Sequence, residues 1–141
     1  MRQGFSLLET MLSLAVLGLL CGIAMPHVST LMDSIEADAA ATHLVAAHQR
    51  ARLMALTRNQ ILVLTVDTAR LIIQQRGQSS VLWSGDGPSA HGAGLAGAAR
   101  QFTFTPQGLT LGLSNATLDL TRGMARRRVV VSRLGRVRIL R

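Results

Sequence analysis

The run of 21 residues from Phe5 to Met25, FSLLETMLSLAVLGLLCGIAM, constrains this chain more than any other feature. As a helix it rises about 31 Å, enough to cross the hydrocarbon core of a bilayer. Glu9 spoils it as a plain anchor, because a carboxylate within a membrane span is costly and marks function by default. Standard leaders do not account for the segment. The residues before it are only Met-Arg-Gln-Gly, and Met25-Pro26-His27 is a poor cleavage context for a secretory signal. A lipoprotein signal fails as well, since Leu20 stands before Cys21 where a small residue is needed.

The string Gly4-Phe5-Ser6-Leu7-Leu8-Glu9 resembles the leader of type IV pilins and type II secretion pseudopilins. The resemblance implies cleavage after Gly4 by a membrane prepilin peptidase and N-methylation of Phe5. Cleavage would leave an ammonium on Phe5 one helical turn from the Glu9 carboxylate. In an apolar helix bundle, the carboxylate of one subunit can neutralise the ammonium of its neighbour, where an unpaired charge is expensive. Glu9 is thereby expected to act as a register device for assembly.

Downstream, Gly18, Gly22 and Pro26 weaken the helix, and a kink or local melting is expected near Pro26. Residues 27–58 read as the amphipathic half of one long helix. Val28, Leu31, Met32, Ile35 and Ala39 form a stripe that Leu44, Val45, Leu53 and Leu56 continue, expected to pack on the chain's own domain. Asp33, Glu36 and Asp38 lie on the polar side. After Asn59 the period becomes two, with strands expected at 61–66, 71–75, 80–83, 101–105, 116–121, 128–133 and 136–140. The stretch Ser84–Ala99, rich in Gly, Ala and Ser, reads as a long flexible loop.

The expected fold is therefore α+β and type IV pilin-like, a long N-terminal helix with its first half in the membrane and its second packed on an antiparallel sheet. The organisation is leader 1–4, assembly helix 5–26, amphipathic helix 27–58, and a β-rich head 59–141. Arg58-Asn59-Gln60, Phe104-Thr105-Pro106-Gln107-Gly108 and Gly135-Arg136-Val137-Arg138-Ile139 resemble the GspH/FimT family of minor pilins and pseudopilins.

Catalytic and metal-binding patterns are missing from the sequence, so an enzyme, a cofactor and a metal are not expected. His43 and His48 are five apart and miss the spacing of a shared helical metal site, so each is expected to be exposed or hydrogen-bonded. The one cysteine, Cys21, allows no internal disulfide.

Charge is the remaining signal. All 15 basic residues are Arg, and no acidic residue follows Asp119. Arg126, Arg127, Arg128, Arg133, Arg136, Arg138 and Arg141 load the C-terminal end, with a turn at Gly135. Alternate strand residues lie about 6–7 Å apart, close to the spacing of phosphates along a DNA strand. The tail lacks aromatic residues, so double-stranded DNA fits better than a stacked single strand. The resemblance to FimT-like pilins, whose C-terminal Gly-Arg-x-Arg element is linked to DNA capture, points the same way. A basic solvated edge, docking on neighbouring pilins or anionic headgroups, stays open beside it. Two roles follow: a minor pilin that takes up DNA, or a type II secretion pseudopilin with a structural place in the filament. Expected partners are prepilin peptidase, other pilin subunits and the bacterial inner membrane, with the head in the periplasm.

Overall fold

The computed structural model describes residues 6–111, 116–132 and 135–140. Gly4 and Phe5 of the expected leader, and Arg133 and Arg141 of the expected basic cluster, lie outside them. One helix, α1, runs Leu7–Arg58. The strands follow as β1 (Leu62–Val66), β2 (Arg70–Gln75), β3 (Val81–Asp86), β4 (Gly94–Leu95), β5 (Arg100–Phe104), β6 (Thr110–Leu111), β7 (Ala116–Arg122), β8 (Ala125–Val131) and β9 (Val137–Leu140). The chain divides into two compact units, 1–32 and 33–141.

In the first unit, α1 begins at a cap. The Glu9 amide donates to the Ser6 hydroxyl at 3.2 Å, in a Ser-x-x-Glu pattern that marks helix starts. The large apolar side chains of this unit are exposed, and α1 holds an 18-residue stretch of mean hydropathy 2.1, long and apolar enough to cross a bilayer. The helix continues through Pro26, so the melting expected there is not seen. Proline removes one amide donor, and the turns around it stay in place. Hydroxyls beside it bond back to the helix, with Ser29 donating to the Pro26 carbonyl at 2.8 Å and Thr30 to the His27 carbonyl at 2.9 Å.

In the second unit, two antiparallel sheets share one core with residues 33–58 of α1. The larger sheet has the order β3-β2-β1-β5-β6 and the smaller β4-β7-β8-β9. The helix face in the core is Ala37, Ala40, Ala41, Leu44, Ala47, His48, Ala51 and Ala55. Bulk comes instead from the strands: Leu62, Leu64, Val66, Leu71, Ile73, Phe102, Phe104, Leu118, Leu120, Val129 and Val131. Small helical side chains let the backbone approach the sheets, and large alternating strand residues fill the gap. This corrects the expected stripe. Val28, Leu31, Met32, Ile35, Leu53 and Leu56 are exposed, and of the expected set Leu44 is fully buried and Val45 packs against the core.

The Ser84–Ala99 stretch also differs from its expectation as a flexible loop. β3 extends to Asp86, a 3₁₀ helix spans Pro88–His91, and β4 pairs with β7. Its glycines and proline are turn devices. A Cβ on Gly87 would lie 2.4 Å from the Thr68 carbonyl oxygen, so only glycine lets this segment seat against the β1–β2 turn. There the Gly87 amide donates to the Ala69 carbonyl at 3.0 Å, and Pro88 starts the 3₁₀ turn.

Candidate functional site

Consecutive arginines in a strand cannot share a face, and β8 shows the consequence. Arg127, Val129 and Val131 alternate with Arg126, Arg128 and Val130, and Val129 and Val131 are buried in the core. Arg127 therefore points inward, to the helix. Its Nη2 donates to Asp38 Oδ2 at 3.1 Å and to the Ser34 hydroxyl at 2.7 Å, and its Nε donates to Asp38 Oδ1. The Asp38 bond raises the Arg127 pKa above its usual range. Arg127 is thus held on α1 by Asp38 and Ser34, unlike the other described arginines of the expected cluster.

The same helix segment holds two more clasps. Arg122 Nε donates to Asp33 Oδ1 at 3.2 Å, and Arg122 Nη1 donates to the His91 carbonyl. His91 Nδ1 lies 3.0 Å from Glu36 Oε2. The carboxylates assigned from sequence to a polar helix face therefore bind α1 to the β7–β8 hairpin and the 3₁₀ turn.

The opposite face of the small sheet is basic. Register places Asp119 across from Arg128, Thr121 across from Arg126, Arg138 across from Val130, and Leu140 across from Arg128. Arg128 and Arg138 are diagonal neighbours, about 7–8 Å apart by strand geometry. Arg126, Arg128, Arg136 and Arg138 are all exposed. Two shallow depressions mark this surface. One, about 480 Å³, is lined by Asp119, Thr121, Arg126, Arg128 and Leu140, with Ala96 and Arg127 also at its wall. The second, about 390 Å³, is lined by Val130, Ser132, Arg136 and Arg138. Gly135, at φ +72°, donates its amide to the Ser132 carbonyl at 2.9 Å, and the Arg136 amide donates to the Ser132 hydroxyl at 3.2 Å. A left-handed glycine thus fixes where Arg136 enters the face.

The structure therefore brings Arg126, Arg128, Arg136, Arg138 and Gly135 together and sends Arg127 elsewhere. It adds Asp119, which sequence reasoning passed over. Asp119 Oδ1 accepts from Arg128 Nε at 2.7 Å. The two-residue connection Gly123-Met124 sets the register that makes this pair, so the signal was available. Glu9, in the other unit, is exposed on the first turn of α1.

Comparison with known proteins settles the family. The pattern of the family described as type II transport protein GspH matches residues 40–135. The chain belongs to the GspH family. Its first 25 residues match the prokaryotic N-terminal methylation motif. The pilin-like protein PilA1 of Thermus thermophilus is 33% identical over 155 aligned positions, covering 98% of each chain. Among solved structures, the type IV minor pilin FimU of Pseudomonas aeruginosa superposes with a TM-score of 0.62 at 23% identity, covering 75% of this chain and 89% of that one. A second crystal form of FimU gives 0.58 at 21% identity. The GspH-family fold, an apolar N-terminal helix followed by antiparallel sheets on its second half, is thus the minor-pilin fold, and the chain is a pilin-type subunit carrying a methylation motif.

Proposed function

We propose that this protein is a non-enzymatic minor pilin whose head binds double-stranded DNA through the outer face of its small sheet. The observation that carries the reading is the placement of Arg126, Arg136 and Arg138, three exposed guanidinium groups with no ion pair among the described residues, on one face. Contacts of that kind go to phosphates, carry no base readout, and weaken steeply with salt. The face carries no aromatic side chain among its described residues, which favours a duplex over a stacked single strand.

Residues 1–4 are the leader, removed after Gly4 by prepilin peptidase, and Phe5 is then methylated. The apolar half of α1 holds the subunit in the inner membrane, with the head in the periplasm, until it joins other pilin subunits. Glu9 pairs with the N-terminal ammonium of a neighbour. Replacing Glu9 by Ala is expected to lower incorporation into filaments about tenfold, since about 1.4 kcal/mol or more is lost with the pair. Unchanged incorporation in sheared filament preparations would remove the register role.

The DNA reading is tested with the full chain in neutral detergent and a labelled duplex, titrated across a salt series. Wild type should bind at low salt and lose affinity as salt rises. Arg136→Ala with Arg138→Ala should weaken binding more than tenfold and flatten the log–log salt slope by about 2. Absence of low-salt binding, or an unchanged slope in the double variant, favours the second reading. That reading, a type II secretion pseudopilin with a structural place near the filament tip, draws on the description of the matched family.

A further inference from the structure

The outer face of the small sheet carries one carboxylate among its described residues, Asp119, and that carboxylate is placed on an arginine. Asp119 Oδ1 accepts from Arg128 Nε at 2.7 Å, and both side chains are about half exposed, at 45% and 57%. Arg126, Arg136 and Arg138, on the same face, have no ion pair among the described residues. The four arginines are therefore two kinds of group: three bare cations and one that is already neutralised.

The difference matters for a polyanion. Affinity for a nucleic-acid backbone comes largely from the counterions that each bare cation releases. A guanidinium already paired with a carboxylate displaces few counterions when a phosphate arrives. The phosphate must also approach a second negative charge, which is repulsive at close range. Resting on the polyanion reading proposed above, we infer that Asp119 is an affinity-setting residue. It occupies Arg128, so the wild-type face engages a duplex through Arg126, Arg136 and Arg138, and Arg128 joins only once the carboxylate at position 119 is replaced. Asp119 touches no ligand in this scheme; it acts through Arg128.

The test compares wild type, Asp119→Asn, Arg128→Ala and the double variant, each as the full chain in neutral detergent against the same labelled duplex. Asparagine keeps the shape and an oxygen acceptor for Nε while removing the charge. Asp119→Asn is expected to bind about five- to tenfold tighter at low salt, with a log–log slope steeper by about 0.9. The double variant, which removes the pair as a unit, should bind within about twofold of wild type and so cancel the gain of Asp119→Asn alone. A dissociation constant and slope unchanged or weakened in Asp119→Asn would overturn the inference. So would a loss in the double variant as large as that in Arg136→Ala, because Arg128 would then already be engaged. Binding by wild type with a flat response to Asp119→Asn removes this inference alone. No binding by any variant removes the polyanion reading and this inference with it.

Discussion

Lowering the pH from about 7 to about 4 is expected to cost the head about 3 kcal/mol, over a hundredfold in its folding equilibrium, through His48 alone. His48 is 1% exposed on the core face of α1. Its ring packs edge-on against Phe104 and Phe102, at centroid distances of 4.9 and 5.6 Å. Neither ring nitrogen has a hydrogen-bond partner among the described residues. Burial, and then the charge of Arg52, lower its pKa from 6.5 to about 4. The unfolded chain takes up a proton near the ordinary value, while the folded head refuses it until about pH 4. Between the two values the unfolded state binds more protons, so stability falls as pH falls, by at most about 1.4 kcal/mol per pH unit. Above that window both states are neutral at this site, and below it both are protonated, so the profile is flat on either side. His48→Leu, of similar volume, should remove the slope. It should also raise stability near neutral pH by about 1 kcal/mol or more, because two unpartnered polar atoms leave the core. Urea unfolding followed by the fluorescence of the single tryptophan, Trp83, measures both chains across the window, and their difference isolates His48. Parallel profiles for wild type and His48→Leu would overturn this account.

His48 was also where sequence reasoning went astray, and the cause is general to this helix. The visible period of α1 lies in its large apolar side chains, and Val28, Leu31, Ile35, Leu53 and Leu56 carry it on an exposed face. The buried stripe is mostly alanine, whose small apolar area gives a weak signal although it is what close helix–sheet packing needs. With the phase wrong, a histidine in the core went unrecognised. The strands are more legible because β-branched and aromatic residues alternate there, and seven of the nine strands among the described residues match expectation to within a few residues. β4 and β6 were missed, since two residues cannot show a period. At the site, the positions of Arg136 and Arg138 were legible from alternation. The same rule applied to Arg126-Arg127-Arg128 separates Arg127 from its neighbours. What could not be read was its destination, because the pairing with Asp38 spans 89 positions and depends on the helix phase.

That pairing gives the second large effect. Asp38→Ala is expected to destabilise the head by about 2–3 kcal/mol, whereas Arg127→Met should cost about 1 kcal/mol. The asymmetry follows from burial. The Arg127 side chain is 10% exposed and that of Asp38 is 32%. Removing the carboxylate leaves a guanidinium with little access to water and, among the described residues, Ser34 and the Arg126 carbonyl as its remaining acceptors. Removing the guanidinium leaves a carboxylate that water can reach, and methionine keeps much of the apolar stem across from Leu120. Denaturant midpoints for the two variants, at neutral pH and equal salt, read the difference directly. The pair also separates two jobs of the arginine-rich strand. Arg127→Met should leave duplex affinity and its salt slope at wild-type values, because the Arg127 guanidinium is held on Asp38 and Ser34 of α1. A slope reduced in Arg127→Met as much as by loss of Arg138 would mean that the clasp opens when DNA binds, and the division of β8 into a structural and a phosphate-facing side would fall.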